Sequence, residues 1–319
     1  MLRFSQVTGS LCNSQPRGWQ ILSRYNSMMP ENRVSKNLVL QKVLQNKVLQ
    51  NLRVVSLQPS VTVTLRDLGL LHLLAACTKY CADICPEVVA AGTLIVEDSW
   101  TAKAEQILVA KPDLVIASVP YQLESVAEII KSGIPFLGLA PQSLADVYKD
   151  ILMIARLLGA EERGEAVIVK MRSEIEAVKE RTAQADKPLV YCEEWGKPLI
   201  LSQSWVAELV EAAGGHFFGQ PGKHTTEEEV AAADPDVIVA AWCGAGDRVP
   251  LEKIIVRRGW EQTKAAQGNR VYCINDEFLN TPASTLIQGL HALAAAIHPE
   301  IFPQQTGLRQ INHLETQSK

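Results

Sequence analysis

The sequence predicts an α/β protein of two similar lobes, each a parallel sheet covered by helices. Three observations carry that expectation. One segment pattern occurs twice, strand and helix patterns alternate along most of the chain, and a long amphipathic stretch without proline separates the two halves. The repeated unit is Ala104–Ser118, AEQILVAKPDLVIAS, and again Glu227–Ala241, EEEVAAADPDVIVAA. Glu105 answers to Glu228, Pro112 to Pro235 and Asp113 to Asp236. In each copy a helix pattern runs into a Pro-Asp pair, which stops it because the residue before proline disfavours the α region. A short apolar run rich in β-branched residues follows, Leu114–Ala117 and Val237–Ala240. Such a run directly after a helix reads as a parallel strand covered on both faces.

The elements follow in order. Arg53–Leu57 is strand-like, and Thr62–Leu68 reads as a helix closed by Gly69. Leu73–Cys77 is a second strand, and 78–86 a loop carrying Lys79, Tyr80, Cys81 and Cys85. Thr101–Val109 and Leu114–Ala117 form the first repeated unit. Gln122–Lys131 is a helix, Ile134–Leu139 a strand and Leu144–Leu158 a helix. Residues 161–186 place Val167, Ile168, Met171, Ile175 and Val178 on one face. As one helix this stretch spans about 39 Å at 1.5 Å per residue, enough to join two lobes. The second half repeats the scheme. Leu189–Glu193 is a strand, Trp195–Pro198 a turn and Trp205–Ala213 a helix closed by Gly214 and Gly215. A helix over Thr226–Ala233 carries a capping-box pattern, Thr226 with Glu229. Val237–Ala241 is a strand, 242–250 a Gly-rich loop, Leu251–Arg258 a helix and Val271–Ile274 a strand. A loop over 275–282 and a last helix, Ser284–Ile297, complete it, and the polar tail after Pro303 is expected to fray. The expectation is therefore two Rossmann-like lobes, 53–160 and 187–303, tied by one helix over 161–186, with a tail over 304–319.

Length and composition set limits. With 319 residues the chain has room for two cores. A net charge of −4, with no basic stripe interleaved with aromatics, argues against a nucleic-acid partner. No apolar run reaches membrane-spanning length. Seven cysteines, an odd number in a chain too large to need disulfide staples, favour a reducing compartment. Residues 1–52 hold seven Lys or Arg against one acid, Glu31. They show neither a continuous apolar core of a secretory leader nor a lipobox ahead of Cys12. A poorly ordered extension is expected there. An organellar transit peptide, or a start at Met28 or Met29, are the other readings.

Parallel sheets bind ligands at the carboxyl ends of their strands, so two facing lobes make a cleft. The strand ends here bring Ser60, Tyr80, Cys81 and Tyr121 from the first half, and Trp195, Trp242 and Phe278 from the second. The aromatics offer a bulky ligand large, rigid contact area, or else cap the core. Ser60, at a helix start, reads as an anion contact or a plain cap. Clustered arginine, which acidic ligands would call for, is missing at these ends, where Lys79, Lys197 and Arg248 are the candidate cations. That favours a near-neutral ligand. Cys81, Cys192 and Cys243 lie near strand ends too, so the alternative is a cytosolic metal- or cluster-binding protein using cleft thiols. No Cys-x-x-Cys occurs, and Cys is often a buried filler. His216 and His224 read as loop residues. A P-loop, a Gly-x-Ser-x-Gly elbow and a Gly-x-Gly-x-x-Gly turn are all missing, which argues against the common α/β enzymes.

Residues 53–303 resemble the class III substrate-binding proteins of ABC transporters, which serve cobalamin, haem and iron-siderophore uptake. The segments that carry the likeness are RVVSLQPS, KYCADICPE, AEQILVAKPDLVIA, LVEAAGG, DPDVIVAAWCG and GNRVYCINDEFLNTP. The cobalamin-binding branch is the most similar. The resemblance implies two α/β lobes on one long helix with little hinge motion, and a monomer. It implies a ligand such as cobalamin, a related tetrapyrrole or an iron chelate, held between the lobes without chemistry and with no required cofactor. It also gives Glu105 and Glu228 a role, one acid per lobe docking on arginines of a membrane permease. Without it, both are first-turn acids that favour a helix N-terminus. The leader or lipobox of the family's periplasmic members is not seen here.

Overall fold

A computed structural model of the chain describes residues 49, 51–97, 101, 103–118 and 123–312. The expectation for residues 1–52 therefore lies almost wholly outside the described residues.

The first sheet has five strands: β1 (Val54–Ser56), β2 (Leu74–Thr78), β3 (Leu94–Val96), β4 (Leu114–Ser118) and β5 (Phe136–Leu139). Their order is β3-β2-β1-β4-β5 and every pairing is parallel. The helices between them are α1 (Pro59–Asp67), α2 (Lys79–Ile84), α3 (Glu87–Ala90), α4 (Ala104–Val109) and α5 (Leu123–Lys131). Two long helices follow, α6 (Leu144–Leu157) and α7 (Glu161–Thr182).

The second sheet contains β6 (Leu189–Gly196), β7 (Leu199–Leu201), β8 (His216–Phe217), β9 (Val237–Ala240), β10 (Val271–Ile274) and β11 (Leu308–Gln310). Its path is β11-β10-β9-β6-β7, with β8 also paired to β6. The helices of this half are α8 (Ser204–Ala212), α9 (Glu227–Ala233), α10 (Leu251–Arg257), α11 (Lys264–Gln267), α12 (Glu277–Asn280) and α13 (Leu286–Ile297).

The duplication is visible in the pairing. β6 takes β8 and β9 as parallel neighbours, as β1 takes β2 and β4, and β9 leads to β10 as β4 leads to β5. The second sheet is mixed at its edges, where β7 and β11 run antiparallel. The stretch read as a turn, 195–198, is the tip of the β6–β7 hairpin. The tail expected to fray supplies β11, because Leu308 and Ile311 find a buried seat. Residues 78–86, read as a loop, hold α2, whose first turn is capped by Thr78 accepting from the Cys81 amide.

The Pro-Asp pairs have a physical job. Asp113 Oδ2 accepts from the Arg53 amide at 2.9 Å, and the Asp113 amide donates to the Arg53 carbonyl at 2.8 Å. In the second lobe Asp236 does the same to Leu189, at 2.8 Å and 2.9 Å. Each aspartate thus clamps the entry to the first strand of its lobe. The residue before each proline is left-handed, Lys111 at φ 47° and Asp234 at φ 48°. Proline alone would push it to extended backbone. The helix end decides otherwise, because a left-handed residue lets its amide reach a free carbonyl of the last turn. Lys111 N donates to Leu108 O and Asp234 N to Ala231 O.

The long helix expected over 161–186 is α7, and α6 packs against its start. Along α7, Ile168, Met171, Ile175 and Val178 are buried as expected, in the core of the second lobe. At its start Gly164 lies against α6, where an added Cβ would sit 2.5 Å from that of Ala155. Helix α6 is shared between the lobes. Leu144, Val147 and Ile151 belong to the core of the second lobe, Ile154 and Ala155 to that of the first. Ala283, beyond α12, is also buried in the first lobe's core, and Ser284 Oγ donates to Asp67 of α1.

Candidate functional site

Strand β1 ends in a small buried polar nest. Ser56 Oγ accepts from Thr62 Oγ1 at 2.7 Å and donates to Gln58 O at 3.0 Å. Cys81 is fully buried beside it, 3.2 Å from Thr78 Oγ1 and 3.9 Å from Ser56 Oγ. Burial opposes ionisation of the Cys81 thiol, but hydrogen bonds from Cys77, Thr62 and Thr78 outweigh it and bring the group down to about 7. Its partner Cys77, as the donor, is pushed up, and burial pushes Cys85 up to about 11. Cys81 therefore sits in the core of the first lobe, beneath the end of β1. Ser60 is neither a cap nor exposed. The helix starts after Gln58 with Pro59, and Ser60 is buried as its second residue, its carbonyl accepting from the Thr64 hydroxyl. Tyr80 is 36% exposed on α2, with Lys79 Nζ 4.8 Å from its ring centroid. Tyr121 lies outside the described residues.

The strand ends of the second lobe differ. β6 runs LVYCEEWG, and alternation puts Tyr191 and Glu193 on one face, Cys192 and Glu194 on the other. Trp195 is 44% exposed at the hairpin tip, its indole N–H donating to Lys197 O at 2.9 Å. Trp242, just past β9, is half-buried and donates to Glu193 Oε1 at 2.5 Å. Its ring lies on Gly196, the residue after Trp195. These two indoles and their hairpin are the part of the expected site that the structure brings together.

Further carboxyl groups lie on the loops at these strand ends. Glu194 accepts from Gln203 Nε2 at 2.8 Å and lies 3.9 Å from the exposed Cys243 thiol. Asp276 takes the amides of Gly244 and Gly246 at 2.7 Å and 2.8 Å, which folds the Gly-rich loop over the end of β10. Burial holds Glu194, Asp276 and Glu277 above the usual carboxylate range, against the hydrogen bonds that lower the first two. Burial also raises the Cys243 thiol. Asp276 raises Glu277 further, and Arg66 of α1 and Asp83 of α2, from the first half, act on it as well, the arginine in the opposite direction. Phe278 is different. Its ring packs on Gly307 and the adjoining core, which makes it a structural aromatic.

The thiols do not converge. Cys81 is in the first core, Cys192 is fully buried in the second and pushed up to about 12 by burial, and Cys243 is exposed. Among the described residues no group of three or more His, Cys, Asp or Glu is placed to hold a metal ion. A groove of about 700 Å³ runs between α7 and α8, lined by Leu144, Ile175, Lys179, Glu211 and Phe217 among others, but none of the expected site residues lines it.

Glu105 and Glu228 are both exposed, and each is the second residue of its helix, α4 and α9. The capping box of Thr226 and Glu229 is formed. Glu193 and Arg258 were not singled out in the sequence. The available signal was a charged pair, Glu193-Glu194, inside an otherwise apolar strand.

The model of the family described as "Periplasmic binding protein" matches residues 54–278. An uncharacterized ABC transporter substrate-binding lipoprotein of Bacillus subtilis is 26% identical over 265 residues, 79% of this chain and 82% of that protein. A cobalamin-binding protein of Halobacterium salinarum is also 26% identical over 265 residues, 77% of this chain and 69% of that protein. Among solved structures, a periplasmic heme-binding protein from Pseudomonas aeruginosa superposes with a TM-score of 0.72 at 21% identity, over 82% of this chain and 98% of that one. That likeness shows the two-lobed fold.

Proposed function

This chain belongs to the periplasmic binding protein family, as a substrate-binding protein of the ABC-transporter type and not an enzyme, and from that premise we propose that its ligand is a corrinoid held between the lobes. The family's ligands include cobalamin, haem and iron chelates. The observation that carries the choice is the mouth of the second lobe. The indoles of Trp195 and Trp242 are held at the ends of β6 and β9, and the carboxyl groups of Glu194, Asp276 and Glu277 lie at the ends of β6 and β10. An anionic ligand, such as a haem with its propionates or an acidic siderophore, meets like charge at such a mouth. A corrinoid brings a broad conjugated ring with a rim of neutral carboxamides. The aromatics supply apolar contact, and the carboxyl groups accept hydrogen bonds from the carboxamide N–H groups. The sequence relationship to the Halobacterium protein supports the same ligand.

Native mass spectrometry of the protein from its own host tests this. The expected result is one corrinoid mass per chain. A haem or a ferric chelate in its place overturns the ligand. Glu105 and Glu228, exposed at matching points of the two lobes, are proposed to dock a permease.

A further inference from the structure

Trp242 is fixed by two contacts. Its indole N–H donates to Glu193 Oε1 at 2.5 Å, and Arg258 Nη1 donates to Glu193 Oε2 at 2.7 Å. The Tyr191 hydroxyl donates to the same carboxylate. The side chains of Glu193 and Arg258 are 1% and 6% exposed. Arg258 is held in turn. Nη2 donates to Gly196 O at 3.0 Å, and its guanidinium lies 4.8 Å from the Trp260 ring centroid. Nε is 3.6 Å from Glu227. The indole also rests on Gly196, where an added Cβ would fall 2.2 Å from ring carbon Cζ2. The backbone of Gly196 is not left-handed. Glycine is required there by the ring and not by the chain path.

Burying an ion pair is a poor way to gain stability, because desolvation offsets the attraction and apolar replacements often do as well. What such a pair supplies is fixed geometry, and the group whose geometry it fixes here is an indole at the strand-end mouth. We propose that Glu193 is a positioning residue, which with Arg258 and Gly196 locks the Trp242 ring so that one face is presented to a flat conjugated ligand. This rests on the reading of Trp242 as ligand-facing. A ring already held in its bound orientation loses less freedom on binding, which raises affinity without a new contact.

The test is a double-mutant cycle on the full chain, with cyanocobalamin as the probe and thermal unfolding measured alongside. Glu193→Gln keeps the shape but loses the charge, and is expected to weaken binding about tenfold. Gly196→Ala leaves Glu193 intact and displaces the ring directly, with a loss of the same order. If Glu193→Gln fails to fold, Gly196→Ala carries the cycle. In a Trp242→Phe background each change is expected to alter Kd less than about twofold, since both act through the indole. Losses that add in that background overturn the positioning role. If the unmodified protein binds no corrinoid, the ligand reading fails and the positioning claim is judged without ligand. The difference in acrylamide quenching between the unmodified protein and Trp242→Phe reports this one indole. Glu193→Gln and Gly196→Ala are expected to raise that quenching, and unchanged quenching overturns the proposal.

Discussion

The two lobes share a skeleton and differ at their mouths. Each begins with a strand whose entry is clamped by the aspartate of a Pro-Asp pair, Asp113 on Arg53 and Asp236 on Leu189. Each then sends its first strand between two parallel neighbours. At the end of β1 the side chains are small and turned inward, Ser56, Thr62, Thr78 and Cys81 bonding to one another in the core. At the end of β6 the strand runs on into a hairpin that carries Trp195 outward and seats Trp242 on Gly196. The lesson is that the determinants of the fold and those of recognition are separable. The first are duplicated, and the residues proposed for the second are concentrated in one copy.

Four experiments break or sharpen that contrast. The proposed docking acids belong to the shared skeleton, so they should matter in both lobes. Replacing Glu105 and Glu228 together with Ala is expected to reduce capture of a partner permease about a hundredfold, at roughly 1.4 kcal/mol per lost charge pair, with ligand affinity unchanged. Capture at the original level removes the role. The clamps should matter for stability alone. Asp236→Ala, where the carboxylate is half-buried, is expected to lose about 2 kcal/mol, and Asp113→Ala, more exposed, about 1 kcal/mol. Urea unfolding measures both, and no loss in either would show that the repeated aspartate is not a clamp.

Recognition should follow one lobe. Trp242→Ala is expected to weaken corrinoid binding at least about tenfold, whereas Cys81→Ser in the first lobe leaves Kd within about twofold. Equal losses from the two changes erase the contrast. The smallest effect concerns protons. Glu194 titrates higher in the folded chain than in the unfolded one because it is buried. Its contribution to stability is complete below the ordinary carboxylate range and is lost as pH rises through the folded value. Glu194→Gln, neutral at every pH, is therefore expected to gain stability relative to the parent at pH 8 and to lose that gain at pH 4. Parallel stability curves contradict a buried, proton-holding Glu194.

Much of this was legible in the sequence. The Pro-Asp repeat named the two lobes because proline ends a helix in each copy and the apolar run after it reads as a buried strand. The apolar face of α7 named the strut. Less legible was what depends on long-range partners. β3 carries Leu94 and Ile95 at 40% exposure, so no buried apolar run announces it, and β11 gains its place only from pairing with β10. Helix α2 went unread because its capping residue, Thr78, is also the last residue of β2. At the site, strand-end position pointed to Trp195 and Trp242 but also to Cys81 and Phe278, which turn inward. Sequence gives the end of a strand and not which way the next side chain points. Glu193 and Arg258 stand 65 positions apart and meet only in the fold.

The central claim is that the mouth of the second lobe selects a neutral macrocycle. The direct measurement is a calorimetric titration of the protein with cyanocobalamin, with haem and with a ferric siderophore under one set of conditions. The account predicts saturable one-to-one binding of cyanocobalamin, at least about tenfold tighter than either of the others. Tighter binding of haem or the ferric siderophore, with cyanocobalamin giving no heat, would contradict it.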